Sequence, residues 1–116
     1  MKRQDAERRG RFAERIAALW LRLHGWRIVA TRARVPGGEV DLIARRGRIV
    51  AFVEVKARAD EDAANLSLDR HRLRRVAVAA ERLSTRYARD GDDIRIDAIF
   101  IVPGRWPRHL PNVWQG

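Results

Sequence analysis

The chain has 116 residues, no cysteine and a formal net charge of +10 at pH 7. The length predicts one domain over residues 1–116 with a core of its own, and the lack of cysteine excludes disulfides, thiolate catalysis and cysteine-ligated zinc. No apolar stretch approaches a membrane span and the N-terminus lacks the apolar centre of a secretory signal, so the expected compartment is the cytoplasm. The charge predicts attraction to polyanions, nucleic acid first among them. The plainer alternative is a surface that carries arginine on every exposed face.

In chain order, residues 1–9 are polar, with no apolar face, and are expected to fray. From about Gly10 to Leu23 the spacing predicts a helix with Phe12, Ile16, Leu19, Trp20 and Leu23 on one stripe. Glu14 lies opposite that stripe, but Ala17, Ala18 and Leu21 follow it at helical intervals. A helix apolar on both sides is expected to be covered on both sides. Glu14 then becomes a partly buried carboxylate, which needs a reason. Trp26 to about Arg34 reads as a strand, ended by Pro36-Gly37-Gly38. Glu39–Ala44 is a second strand, and Ile49–Lys56 a third after a turn at Arg46-Gly47. A loop follows, acidic at Asp60-Glu61-Asp62. Ser67 is the expected cap of a second helix that runs to about Arg89 and buries Leu73, Val76, Ala77, Ala80, Leu83 and Tyr87. Ile94–Val102 is a fourth strand, and Asn112–Trp114 a short edge strand in a proline-punctuated tail. The fold class is α/β, a mixed sheet flanked by helices in the order α-β-β-β-α-β.

Only Lys2 and Lys56 are lysines among twenty-five Lys and Arg residues. Lys56 closes Phe52-Val53-Glu54-Val55-Lys56 at an internal position that stayed lysine. A compact ammonium is a different tool from a guanidinium, which marks Lys56 as a pointer to chemistry. Strand alternation puts Glu39 with Asp41 on one face of the second strand, and Glu54 with Lys56 on one face of the third. With Arg46-Gly47 at the centre of a hairpin, Glu39 lies opposite Glu54, and Asp41 is diagonal to Glu54 at about 7–8 Å. All four charged side chains then share one face. Such a group is costly unless paired or metal-bound, and its hard oxygens suit Mg²⁺ or Mn²⁺ better than Zn²⁺. A solvated strand face carrying ordinary ion pairs is the competing reading.

Gly38-Glu39-Val40-Asp41-Leu42-Ile43-Ala44 followed by Phe52-Val53-Glu54-Val55-Lys56-Ala57-Arg58 resembles the small bacterial YraN-like family. That family lies within the PD-(D/E)xK, restriction-endonuclease-like superfamily and is related to Holliday-junction resolvases. The resemblance covers about residues 9–102 and includes Glu14 with Ala17 and Ala18, Trp26-Arg27-Ile28 and Arg95-Ile96-Asp97. It implies Asp41 and Glu54 as metal-binding acids, the Val55 carbonyl as a further ligand and Lys56 as the catalytic lysine. It brings Glu14 to the site from the first helix and sets Glu39 beside it. The family's lysine near the start of the second helix is His71 here, and the family's Phe-Gly before that helix is missing. His71 reads as a surface residue or phosphate contact, and His24 and His109 as structural or surface residues.

Arg70, Arg72, Arg74 and Arg75 fan around the second helix. Arg72 and Arg75, with Arg58, are the candidate nucleic-acid contacts, the remainder a solvated face. Trp106 and Trp114 are expected to pack in the core or tail in preference to stacking on bases. The function implied is metal-dependent hydrolysis of DNA phosphodiester bonds, with branched or structured DNA among the candidate substrates. The alternative is a non-catalytic nucleic-acid-binding module on the same fold, and a protein-interaction domain is a third. A homodimer is implied only by analogy with the resolvases.

Overall fold

A computed structural model describes residues 2–58 and 69–115. Helix α1 (Lys2–Leu23) precedes strands β1 (Arg27–Val35), β2 (Gly38–Arg46) and β3 (Ile49–Ala57). Helix α2 (Arg70–Tyr87), β4 (Asp93–Ile101) and a short β5 (Arg108–Leu110) complete the order α-β-β-β-α-β-β. The sheet is mixed and its strands lie in chain order. β1–β2, β2–β3 and β4–β5 are antiparallel, while β3–β4 is parallel, as the α2 crossover requires. This is the predicted α/β class, with the short tail strand at Arg108–Leu110 in place of Asn112–Trp114, and it is consistent with a restriction-endonuclease-like arrangement. No helix among the described residues is long and apolar enough to cross a membrane.

Each helix covers one sheet face. Ala13, Ala17, Ala18 and Leu21 of α1 pack on Leu42, Ala44, Ala51, Val53, Ile99 and Ile101. Leu73, Val76, Ala79 and Ala80 of α2 pack on Ile43, Val50, Phe52 and Ile96. Ala79 is thus buried where the helical spacing predicts Ala77, which is only partly covered, and α2 ends at Tyr87 instead of Arg89. Burial of these two apolar faces supplies the main favourable term of folding.

The helix α1 departs most from expectation. It begins at Lys2, because the run Lys-Arg-Gln-Asp-Ala-Glu-Arg-Arg is rich in good helix formers even without an apolar face. The face it buries is the one with small residues, which let the helix lie close to the sheet. Much of the larger stripe points outward: Phe12 is 65% exposed and Leu23 73%, while Ile16 packs at the edge of the core. The helix is therefore covered on one side, not two.

Turn chemistry explains the other differences. In the β1–β2 turn Val35 pairs with Gly38, and Gly37 takes φ 82 after Pro36, the combination a type II turn demands. A Cβ on Gly38 would come within 2.6 Å of the Arg75 carbonyl oxygen, so glycine lets β2 start against the α2 backbone. The β2–β3 hairpin pairs Arg46 with Ile49 and is centred on Gly47-Arg48, not Arg46-Gly47. Gly47 supplies the positive φ of 60 at the first central position. Asp69 caps α2 by accepting from His71 N; Ser67, the expected cap, lies outside the described residues, as does the Asp60-Glu61-Asp62 run. In the tail the strand is Arg108–Leu110. Asn112 adopts a left-handed φ of 54, which ends it and leaves Val113 N donating to Ile96 O at 2.8 Å.

Candidate functional site

The hairpin register shifts by two residues from the expected one, and an even shift keeps side chains on their faces. Pairing runs from Arg46↔Ile49 to Leu42↔Val53 and stops there. Asp41 is the first residue of β2 beyond the last pair. The same register would set it directly opposite Glu54, closer than the diagonal placing read from the sequence. Its Oδ2 instead accepts a 2.7 Å bond from Val55 N, satisfying a donor that the parted strand no longer meets.

Glu54 and Lys56 sit on the next positions of β3, both buried, at 1% and 5% exposure. Glu54 Oε1 receives two cations: Arg72 Nε of α2 at 2.9 Å and Lys56 Nζ at 3.3 Å. Burial works against the charge of Arg72, but the nearby Glu54 and Asp41 outweigh it and hold the guanidinium charged. Asp41 has no such cation in contact among the described residues. Burial first, then the charge of Glu54, pushes its carboxyl from 3.8 up to about 7, against the lowering effect of the Val55 N–H. Glu14 adds a further upward push. Glu14 reaches the cleft from α1, and its Oε1 accepts from Arg32 Nε at 2.9 Å. The partly buried carboxylate of the first helix thus faces Asp41 across a cleft.

That cleft, of about 380 Å³, is lined by Glu14, Asp41, Glu54, Val55, Lys56, Arg58 and Arg72, among others. It joins residues from α1, β2, β3 and α2 that are up to 62 positions apart in the chain (Gly10 and Arg72 are the extremes). A neighbouring cleft of about 420 Å³ shares Glu14 and Asp41 and is walled by Arg11, Arg32, Arg34 and Glu39. Glu39 belongs to this second space and not beside Glu54. Its carboxylate lies 3.7 Å from both Arg34 Nε and Arg75 Nε. The reason is a break in strand alternation. Leu42 and Ala44 face α1, and a regular strand would turn Val40 the same way, yet Val40 packs in the α2-side core. The pleat resets at Asp41, and Glu39 is carried out of the shared face.

Of the three arginines expected as nucleic-acid contacts, Arg72 is committed to Glu54, Arg75 approaches Glu39, and Arg58 lines the main cleft. His71 is exposed on the first turn of α2. His24 has a structural place at the end of α1, with Nδ1 2.7 Å from Trp20 O. His109 is tied to Asp97 at 2.8 Å, an acid twelve residues away that its local sequence did not announce. Trp114 packs against the α2-side core, whereas Trp106 is 83% exposed and, among the described aromatic side chains, meets only the Trp20 ring.

The chemistry of the donor set bears on a metal. Asp41 and Glu54 offer hard oxygens, and the raised carboxyl of Asp41 marks a spot where positive charge is wanting. Among the described residues, no three or more His, Asp or Glu side chains form a ready-made ligand cluster. Two carboxylates completed by backbone oxygen and water match the habit of Mg²⁺, which keeps several waters. The residues present fit such an ion.

Comparison with known proteins places the chain. The model of the family described as "Uncharacterised protein family UPF0102" matches residues 13–101. The chain belongs to this family. The UPF0102 protein of Sphingopyxis alaskensis is 64% identical over 115 residues, covering 99% of both chains. Those of Erythrobacter litoralis and Methylorubrum extorquens are 56% and 48% identical, over 99% and 98% of this chain and 99% and 90% of theirs. The UPF0102 match runs from Ala13 to Ile101 and so spans every cleft residue named above for the main cleft.

Proposed function

We propose that the chain is a metal-dependent endonuclease that hydrolyses phosphodiester bonds of DNA, with Mg²⁺ or Mn²⁺ as its ion. The observation that carries this reading is the meeting of Asp41 and Glu54 where β2 and β3 part, with Lys56 Nζ 3.3 Å from Glu54 in the same cleft. Asp41 and Glu54 would hold the ion, with the Val55 carbonyl as a further oxygen. The ion would supply Lewis acidity toward a phosphoryl oxygen and make water more acidic. Lys56 offers a buried ammonium to the charge that grows on the phosphate in the transition state. Arg72 fixes Glu54 and brings a second cation to the cleft mouth. Glu14 can accept a proton from water, since Arg32 holds its carboxylate at the cleft wall. Arg58 and Arg75 suit contacts with flanking phosphates. The superfamily that the Asp41…Glu54-Val55-Lys56 pattern resembles acts by this chemistry, which supports DNA as the substrate and the cytoplasm as the place of action.

The test is nicking of duplex, single-stranded and four-way DNA with Mg²⁺ or Mn²⁺ present and with EDTA. Metal-dependent cleavage by the wild type, lost in Asp41→Ala and Lys56→Ala, is the expected result. No cleavage of any of these substrates would overturn the reading.

A second reading, a non-catalytic nucleic-acid-binding module, is favoured by one observation. Glu54 already has Arg72 and Lys56 as counter-ions, which leaves Asp41 as the acid of the pair with no cation in contact among the described residues. In that case DNA binding with a log–log salt slope persists in the wild type without any cleavage.

A further inference from the structure

The backbone of Arg32 holds an uncommon conformation. Its φ is 49, in the left-handed region that residues with a Cβ avoid, and Asn112 is the only other non-glycine residue there among those described. Asn112 stands at a strand end, where such a conformation is usual for asparagine. Arg32 is inside β1. The register there pairs Thr31 with Leu42 and Ala33 with Val40 and skips the step between, which would join Arg32 to Asp41. β1 carries a register shift between Ile28 and Ala30 on its own strand, and a second break in alternation, shared by both strands, falls at this step. Ala30 and Ala33 both face α2 although they stand three positions apart, as do Ile43 and Val40 on the partner strand. A kink in one strand alone would break the ladder. A matched kink in both preserves pairing on either side while turning the two residues between them out of the sheet's alternation.

The two residues turned out are Asp41, whose carboxylate bonds Val55 N, and Arg32, whose guanidinium bonds Glu14. The geometry points to Arg32 as a positioning residue for the cleft: its left-handed backbone across from Asp41 aims that carboxylate at β3, and its side chain holds Glu14 at the cleft wall. The inference rests on the nuclease reading for its kinetic consequence, but its structural half stands without it. A backbone held in a sparsely populated region costs stability and persists only where the surroundings impose it, and such positions gather at functional sites. Here the surroundings are the two paired flanks of β1 and β2, and the ion pair to α1. Arg32 does not need to touch the reacting phosphate for this role.

Two substitutions separate the backbone from the side chain. Arg32→Gly keeps the left-handed conformation accessible and removes the guanidinium. Arg32→Val also removes the guanidinium, and its branched Cβ drives the residue toward regular strand geometry. The first measurement is independent of activity: hydrogen exchange and chemical shift of the Val55 amide, which report the Asp41 bond. Arg32→Gly is expected to leave Val55 as in the wild type, and Arg32→Val to speed its exchange at least tenfold. If the Val variant does not fold, the Gly variant carries the test through Glu14. With cleavage assayed on DNA, Arg32→Gly and Glu14→Gln should each lower kcat at least tenfold with KM changed less than threefold. The double variant should be no worse than either single one, because both remove the same link, and Arg32→Lys should recover most of kcat.

Unchanged Val55 exchange in a folded Arg32→Val protein would overturn the backbone half. A raised KM with kcat intact would make Arg32 a simple phosphate contact and overturn the side-chain half, as would additive losses in the double variant. Absence of cleavage by the wild type would sink the nuclease reading alone, leaving Val55 exchange to decide the placement of Asp41.

Discussion

Two aspartates drawn away from solvent live under opposite conditions in this chain. Asp97, on β4, is wholly buried and saturated with partners. Arg95 meets it with two bonds of 2.8 and 2.9 Å, His109 Nε2 lies at 2.8 Å and Asn112 N at 2.9 Å. Burial alone would raise its carboxyl, but the bonds from His109, Arg95 and Asn112 prevail and hold it below 3.8. Around it, Trp26 lies between Arg46 and Arg95, with ring-to-guanidinium distances of 4.6 and 5.5 Å, so this corner ties the start of β1 to β2, β4 and β5. Asp41 has one backbone donor, no cation in contact among the described residues and an acid as its neighbour, and its carboxyl rises to about 7. Loss of solvent is common to both, so burial does not mark the candidate site. What differs is whether the protein neutralises the charge it withdraws from water. At Asp97 it does, and the result is a structural joint. At Asp41 it does not, and this is the deficit that the proposed divalent ion would fill.

The contrast can be broken in order of expected effect. Asp97→Ala removes one side of a buried ion pair and strands Arg95, so it should cost about 3–5 kcal/mol in denaturant unfolding. Cleavage per folded molecule should be unchanged; a selective loss of cleavage would erase the distinction between the two corners. Lys56→Arg should lower cleavage at least about 100-fold, roughly 3 kcal/mol, because a planar guanidinium cannot replace a buried ammonium beside Glu54. Its melting temperature should drop far less than that of Asp97→Ala, which calorimetry would show.

The pH response separates the two acids by sign. Asp41 holds its proton more tightly folded than unfolded, so its contribution to metal-free stability is full below 3.8 and lost as pH rises toward about 7. Asp41→Asn should therefore stabilise the protein at pH 8 in EDTA, by about 1–3 kcal/mol, and leave it little changed at pH ~3.5. Asp97 runs the other way: its contribution is present above 3.8 and lost as pH falls below that value. Equal responses of the two variants across this range would show that the partner sets do not govern the acids. The smallest effect belongs to Arg75, partly exposed and 3.7 Å from Glu39. Arg75→Ala should weaken DNA binding about two- to fivefold and reduce the salt slope by about one, with kcat unaffected.

Local chemistry makes much of this molecule legible in the order of its residues. Apolar runs with β-branched residues mark β2, β3 and β4, Pro36-Gly37 marks the first hairpin turn, and the lone internal lysine after Glu54 points to the cleft. Asp41, Glu54, Lys56 and Glu14 do line one space. Residues whose placement depends on their own strand or helix are readable because pleat and helical turn are local properties.

What only tertiary packing decided was relative position. The face of α1 that meets the sheet is the small one, since closeness of backbones there outweighs the larger apolar area of Phe12, Leu19 and Leu23. The hairpin centre moved one residue because Gly47 is needed at the first turn position, and that set Asp41 level with Glu54. The pleat reset at Arg32 and Asp41 took Glu39 away from Glu54, and no periodicity in either strand announces a kink matched across two of them. Asp97 and His109 met because β5 folds back on β4, a contact between segments that neither sequence neighbourhood encodes. Side-chain chemistry along the chain thus named the candidate groups, and the long-range pairing of strands, which minimises unpaired backbone and buried charge over the sheet, chose which of them meet.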